Sequence, residues 1–335
     1  MNIPPSLEDE NFLHAVQNSK FFDIAIIGGG VAGLTAGLYA ARDGFKTLVL
    51  EGTIVSSTES PGGALMLTSE IANYPGFNAA EGSELIETIR TQAENFDAII
   101  FEERAEKIIF SEGKGKCHTI NTNDNNSYKA RAIIIATGAV AKRLNIPGEE
   151  EYYGKGVSSC ATCDGFFFKN KIVAVAGGGD TAIEDALLLT RYAEKVHLIV
   201  RGTKLKATGP EAREIIHHPD VTIHWNTTIQ KVNSKNNNVS GVILNNNEKI
   251  EELPVDGLFV AIGSNPATQF LQGTEVPMDN EGYILVNGAS TAVLGLESKG
   301  IFAAGDVADK IYRQAITSAG KAAQAVLEAR NYLTQ

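Results

Sequence analysis

The residues with the most distinctive chemistry are Cys160-Ala161-Thr162-Cys163-Asp164-Gly165. Two cysteines two residues apart can close a small disulfide ring that a thiolate reopens, so the pair can cycle between disulfide and dithiol. Asp164, directly after the second cysteine, can supply or remove the proton that each half of the cycle requires. The competing reading of Asp164 is a plain Asp-Gly turn. For the cysteines the alternatives are half a zinc site or a coincidence of composition. A structural zinc needs about four Cys/His ligands, and the one further cysteine, Cys117, stands alone. A redox dithiol fits better, provided that neighbouring segments supply electrons.

Glycine-rich stretches flank the pair. Phe22-Asp23-Ile24-Ala25-Ile26-Ile27 reads as a buried parallel strand and runs into Gly28-Gly29-Gly30-Val31-Ala32-Gly33, a G-x-G-x-x-G loop. The segment from Leu34 to Arg42 predicts a helix stopped by Gly44, and Thr47-Leu48-Val49-Leu50 predicts a second strand ending at Glu51. In a dinucleotide site Gly28 permits the tight turn, Gly30 the approach of the pyrophosphate, and Gly33 close helix–strand packing. Glu51, about twenty residues on, stands where a carboxylate accepts from ribose hydroxyls; by itself it would read as a solvated strand-end acid. Ser60 to Leu65 reads as a loop, Glu81 through Phe96 as a surface helix, and 99–130, broken at Asn121 to Asn126, as a small antiparallel layer. Ala132 to Gly138 closes the unit as another buried strand.

From Lys171 the same order recurs. Lys171 to Ala176 predicts a strand, Gly177-Gly178-Gly179-Asp180-Thr181-Ala182 the loop, Leu187-Leu188-Leu189 part of a helix, and Val196 to Val200 a strand. Asparagine-rich breaks return at Asn236 to Asn238 and Asn245 to Asn247, and Gly257 to Gly263 closes the unit. Repetition of a whole supersecondary unit is more specific than any one motif, and it implies two nucleotides per chain. Where the first unit has Glu51, the second has Arg201, with Lys204 and Lys206 behind it. Cations there suit a 2'-phosphate, as on NADPH; the competing reading is a solvated basic loop.

Composition sets the outer bounds. A chain of 335 residues predicts two medium domains, and 43% hydrophobic with 21% charged residues is ordinary for a soluble protein. The net charge of −11 argues against a nucleic-acid partner. Three cysteines make no secreted disulfide framework, and Cys-x-x-Cys suits a reducing compartment. The first twenty residues, with Glu8, Asp9 and Glu10, read as neither a secretory signal nor a transit peptide. No apolar run reaches the ~20 residues that span a bilayer. The expectation is a cytoplasmic chain with no membrane partner.

After Asn265-Pro266 the chain is expected to return to the first domain. Gly300 to Val307 predicts a strand ending in a Gly305-Asp306 turn, and Tyr312-Arg313-Gln314-Ala315 the start of a helix running to about Tyr332. The assembled pattern resembles the low-molecular-weight thioredoxin reductases from about Phe22 to Leu333. The most specific matches are Cys160 to Gly165, Asn73-Tyr74-Pro75-Gly76-Phe77, and Gly305-Asp306-Val307 with Arg313-Gln314-Ala315. The resemblance implies an α/β fold of two Rossmann-like domains, the second inserted into the first, each with three ββα layers. Residues 1–20 would be an N-terminal extension, 21–141 with 267–335 the FAD domain, and 142–266 the NAD(P)H domain carrying the cysteines. FAD would lie on Gly28, Gly30, Val31, Ala32, Gly33, Glu51, Gly63, Leu65, Asn73, Ala136, Thr137, Gly138, Asp306, Arg313, Gln314 and Ala315. NADPH would lie on Gly177, Gly179, Asp180, Thr181, Ala182, Arg201 and Lys206.

The resemblance further implies a homodimer whose domains rotate, so that nicotinamide and disulfide take turns at the flavin. Cys163 would be the flavin-side sulfur, and Cys160 the one that attacks a thioredoxin or thioredoxin-like protein. Three features depart from the family pattern. Its His-Arg-Arg-x-x-x-Arg run reads Val200-Arg201-Gly202 with Lys206, and lysine lacks arginine's bidentate fork, which weakens NADPH selectivity and admits NADH. Ala64 replaces a glutamine of the flavin loop, and Ser264 a common histidine. The rival expectations are a relative using another donor such as ferredoxin, a dithiol oxidase, and a non-catalytic flavin-binding or redox-sensing module.

Overall fold

The computed structural model describes residues 20–54, 60–67, 71–77, 81–113 and 116–335. The extension expected over 1–20 therefore lies, except for Lys20, outside the described residues. The chain forms two compact units. Among the described residues, one comprises those up to Met66, Gly82–Val140 and Pro266–Gln335; the other comprises those within Leu67–Glu81 and Ala141–Asn265. The sequence reading ran the first domain unbroken from 21 to 141, whereas Leu67–Glu81, which carries Asn73, groups with the second unit.

The first unit runs β1 (Phe21–Ile27), α1 (Val31–Arg42), β2 (Thr47–Leu50), α2 (Gly82–Glu94), β3 (Ile99–Phe101), β4 (Ala105–Ile109), β5 (His118–Thr122) and β6 (Ser127–Ile135). After the second unit, β17 (Ile301–Ala303) and α6 (Ala315–Thr334) complete it. The strand order is β3-β2-β1-β6-β5-β4, with β17 paired to the end of β6. β1, β2, β3, β6 and β17 run parallel to one another, whereas β5 is antiparallel to both its neighbours, β4 and β6. From Ile24 to Ile27 β1 is apolar without alternation because both faces of a parallel strand are covered. One face of the sheet joins Ala25, Ile27, Leu48, Leu50, Ile133 and Ile135 to Ile108 and Ile120 in a single core. α1 packs against both α2 and α6. The asparagine-rich break becomes the β5–β6 turn, where Asn125 takes φ +60°, a conformation that asparagine tolerates better than most residues.

The second unit contains β8 (Val157–Ser158), α3 (Ala161–Asp164), β9 (Ile172–Ala176), α4 (Asp180–Leu189), β10 (Lys195–Ile199), α5 (Pro210–His217) and β11 (Val221–His224). The meander β12 (Thr227–Lys235), β13 (Asn238–Asn246) and β14 (Lys249–Leu253) precedes β15 (Gly257–Val260). The parallel sheet has the order β11-β10-β9-β15-β8, and β12-β13-β14 is a separate antiparallel sheet. Alternation along the parallel strands sorts the layers. Val173, Val175, Val196, Leu198 and Phe259 pack on the helices, with Ile183, Leu189 and Ile215. Ala174, Ala176, Ile199, Leu258 and Val260 face the meander, with Val232, Val242 and Leu244. This is the expected ββα sandwich. Two short strands, β7 (Ala139–Ala141) and β16 (Ser264–Pro266), pair where the chain crosses between units.

Element boundaries differ mainly near expected sites. α1 starts at Val31, three residues before the expected Leu34, because Gly30 is already its N-cap. α6 starts at Ala315 instead of Tyr312. Arg313 takes φ +48°, and Gln314 is an extended N-cap in a capping box with Thr317.

Candidate active site

The two glycine-rich loops share one atomic plan. Gly28 takes φ +119°, and its N–H donates to Leu50 O at 2.8 Å. A Cβ there would overlap the carbonyl of Ala136, and one at Gly33 would overlap the carbonyl of Gly28. Gly177 takes φ +148°, and its Cβ would overlap Ala261 O and stand 2.7 Å from Ala182 Cβ. The fold itself therefore requires Gly28, Gly33 and Gly177.

Gly30 and Gly179 differ. Their backbones are ordinary extended N-caps of α1 and α4. A Cβ at Gly30 would meet nothing nearer than Gly62 O at 3.7 Å, and one at Gly179 nothing within 4 Å. That open space would admit a ligand against each helix N-terminus, as a pyrophosphate needs. Gly62 and Gly63 lie across from Gly30, and a short 3-10 turn, Gly63–Leu67, forms within the segment that reads as a loop in the sequence. Leu65 lies on that turn, and Ala64 is exposed.

Glu51 follows β2, and its side chain is fully buried. One oxygen, Oε2, is paired with the Arg90 guanidinium, while Oε1 is buried without a partner among the described residues. Burial raises the Glu51 pKa, and Arg90 opposes that rise. An orphaned acceptor in this position fits a ribose hydroxyl. Ala136 N donates to Ile27 O at 2.8 Å, Thr137 Oγ1 to Ala267 O at 2.8 Å, and Gly138 takes φ +70°. Gly305 brings the Asp306 turn against α1, since a Cβ there would stand 2.9 Å from Ala32 Cβ. Ser318 Oγ donates to Asp306 at 3.0 Å, and burial pushes Asp306 up to about 6. Val31, Ala32, Gly33, Glu51, Gly63, Asp306 and the Arg313-Gln314-Ala315 entry to α6 thus all belong to the first unit. Asn73 is exposed in the segment that groups with the second.

In the second unit Asp180 and Thr181 open α4, with Ala182 buried beneath them. The loop after β10 folds back on the glycine turn: Lys206 N donates to Gly178 O at 2.7 Å. Arg201, Lys204 and Lys206 are exposed, so the cations are available to a ligand at that turn.

Cys160 and Cys163 form a disulfide with Cα atoms 5.3 Å apart. Cys160 is the N-cap of the single turn α3 and Cys163 lies within it: Cys160 Sγ accepts from the Cys163 N–H at 3.1 Å. Ser158 Oγ accepts from Cys160 N at 3.0 Å and also hydrogen-bonds Asp164. Burial raises the Asp164 pKa, and the Ser158 bond partly offsets this. Of the three phenylalanines that follow, Phe166 is exposed while Phe168 packs edge-on against Phe259. Among the described residues no cluster of three metal-ligating side chains occurs, and no helix is long and apolar enough to cross a membrane.

A family model of pyridine nucleotide-disulphide oxidoreductases matches residues 22–325. The chain belongs to that family. It is 42% identical over 318 residues to a thioredoxin reductase of Pneumocystis carinii, covering 93% of this chain and 96% of the relative. It is equally 42% identical to the NADPH-dependent thioredoxin reductase 3 of Arabidopsis thaliana, of whose length it spans 58%. The solved thioredoxin reductase of Giardia duodenalis superposes with a TM-score of 0.86 at 36% identity, covering 94% of this chain and 99% of that one.

The expected Gly28 to Gly33 loop includes Gly29, which packs on Glu51: a Cβ there would stand 2.5 Å from the acid's own Cβ. Three residues of the candidate site were not singled out in the sequence. Ser158 holds Asp164, Ser318 holds Asp306, and Arg90 holds Glu51. All three act across sequence gaps with no motif to mark them.

Proposed function

We propose that the protein is a thioredoxin-disulfide reductase that binds FAD in its first unit and NADPH in its second. The carrying observation is the Cys160–Cys163 disulfide, followed by Asp164, inside a nucleotide-binding unit that repeats the first. The orphaned Glu51 Oε1 and the open face of Gly30 fit FAD. The open face of Gly179 and the cations after β10 fit NADPH. When bound, the two cofactors supply an electron pair and the means to deliver it to the disulfide.

The chain's own residues do the rest. Two electrons and two protons convert the Cys160–Cys163 disulfide to a dithiol. Cys160, whose sulfur already accepts the Cys163 N–H, is the thiolate that attacks the partner's disulfide. Cys163 then attacks the mixed disulfide, releasing reduced partner and restoring the ring. Asp164, whose pKa burial raises, passes the proton at the Cys163 sulfur. The partner is thioredoxin or a thioredoxin-like protein. A homodimer and a cytoplasmic location belong to the same proposal, supported by the family resemblance and by cysteine usage suited to a reducing compartment.

NADH as an alternative donor is favoured by one observation: only Arg201 and lysines serve the phosphate position. Anaerobic titration of the flavin-loaded protein with NADPH and with NADH tests both readings. NADPH is expected to bleach the yellow colour at lower concentration, and added oxidised thioredoxin to restore it. Bleaching by neither nucleotide would point to a different donor. Recolouring by oxygen alone, with thioredoxin without effect, would point to an oxidase.

A further inference from the structure

We propose that Arg90 is a positioning residue of the flavin site: docked on Oε2 of Glu51, it leaves Oε1 as the charged acceptor for the adenosine ribose. This rests on the reading of the first unit as the FAD site. Glu51 has two ways to tolerate a buried carboxyl, taking up a proton or pairing with a cation. The first would surrender one acceptor and the stronger bonds that a charged oxygen makes.

The structure takes the second way with a residue from a distant element. α2 buries Leu85, Ile86, Ile89 and Ala93, and Arg90 lies beside that face. Its guanidinium reaches back to Glu51 and also approaches Glu87 at 3.8 Å and Glu94 at 3.9 Å. The charged groups acting on Glu51 are thus Arg90 and Glu94 from α2 and Glu102 from the segment after β3. Both acids push Glu51 toward its protonated form, and Arg90 is the cation that opposes them. The glycine loop closes the other side, because Gly29 packs directly on the Glu51 side chain. Oε1 is then the remaining unsatisfied atom of a carboxylate otherwise fixed by its neighbours.

A purely structural tie between α2 and β2 would also explain an Arg90–Glu51 pair, and the test separates the two. FAD-free protein is titrated with FAD between pH 5.5 and 8.5, following quenching of flavin fluorescence, for wild type, Arg90→Gln, Arg90→Lys, Glu51→Gln and the double variant Glu51→Gln/Arg90→Gln. Arg90→Gln is expected to weaken FAD binding about tenfold at pH 7 and to move its acid limb upward by about one pH unit. Arg90→Lys should recover most of both. In the Glu51→Gln background the Arg90 change should cost less than about twofold, since no charge remains to be held. Far-UV circular dichroism of each FAD-free variant checks folding. If Arg90→Gln does not fold, Arg90→Lys carries the test through an intermediate shift of the acid limb. A wild-type pH profile in a folded Arg90 variant, or an equal loss in the Glu51→Gln background, overturns the proposal. A wild type that binds no FAD at any pH instead overturns the flavin reading, and the role of Arg90 with it.

Discussion

Gly28 and Gly30 stand two residues apart in one loop, yet alanine should affect them in opposite ways. At Gly28 the backbone has φ +119°, and a Cβ would overlap the carbonyl of Ala136. A strained backbone of that kind costs ~1–3 kcal/mol, and overpacking against an immobile backbone adds ~1–3 kcal/mol. Gly28→Ala should therefore cost roughly 2–6 kcal/mol, much of a typical domain's stability. At Gly30 the backbone is ordinary, with φ −77° and ψ −173°, and the nearest atom to a Cβ is 3.7 Å away. Alanine at that N-cap loses ~0.5–1 kcal/mol and regains ~0.4–1 kcal/mol from a stiffer unfolded chain. The FAD-free Gly30→Ala protein should thus match wild type within about 0.5 kcal/mol, while its flavin affinity falls because the methyl fills the pyrophosphate's space. The assay is urea unfolding of FAD-free proteins by far-UV circular dichroism, paired with FAD titration. The sole tryptophan, Trp225, packs on the second unit's core and serves as an internal control for that unit. Equal destabilisation by both substitutions, or wild-type flavin binding by Gly30→Ala, would refute the division into a fold glycine and a ligand glycine.

The other predictions concern charge and sulfur. With a thioredoxin lacking its resolving cysteine, Cys163→Ser should accumulate a mixed disulfide through Cys160 and Cys160→Ser should not; gel analysis under non-reducing conditions reads the outcome, and the opposite pattern reverses the roles. Asp164→Asn should leave flavin bleaching by NADPH intact but slow turnover with thioredoxin, and Ser158→Ala should move the Asp164-dependent limb of the pH–rate profile upward because the bond that restrains its pKa is lost. Arg201→Ala should raise the KM for NADPH ~10–100-fold, the equivalent of one charge-assisted bond, with little change for NADH; equal effects would remove Arg201 from phosphate recognition. Asp306 has a folded pKa raised from 3.8 to about 6. The proton is therefore held more tightly in the folded state, and stability contributed below pH 3.8 is lost as the pH rises through 6. In FAD-free protein Asp306→Asn should stabilise by up to ~3 kcal/mol at pH 8 and by nothing below pH 4, while weakening FAD binding.

Legibility followed the range of the interactions. Local patterns carried the strand–loop–helix–strand units: short apolar runs marked β1 and β9, and each glycine loop marked the helix after it. The β5–β6 turn and the β12–β13 turn were marked by asparagines, which in the structure take positive φ at Asn125, Asn236 and Asn237. Contacts between remote segments left no such trace. Nothing around Arg90 announces a partner at Glu51, and Ser318 meets Asp306 because α6 returns beneath the turn. Even the start of α6 was misplaced, because the left-handed residue that delays it is an arginine, where a glycine would have been a warning. The grouping of Leu67–Glu81 with the second unit is likewise a matter of tertiary packing, and no break in composition signals it.

The pairing of β17 with β6 bears on how the chain is made. During synthesis the edge of Ile133 to Ile135 is ready long before its partner Ile301–Ala303 exists. At ~5–20 residues/s the ribosome takes roughly 8–33 s to cover the stretch between them. Throughout that interval the first unit lacks both a strand and α6, while every strand of the second unit's parallel sheet and meander is made within it. Vectorial synthesis would ordinarily favour the N-terminal domain, but here the later segment closes first and the earlier one waits with an unpaired parallel edge. A nascent chain stalled shortly after residue 266 would present that edge to its neighbours on the same message. Chaperone demand and aggregation in this protein should accordingly be governed by the half-built first unit and relieved only when its last helix is released.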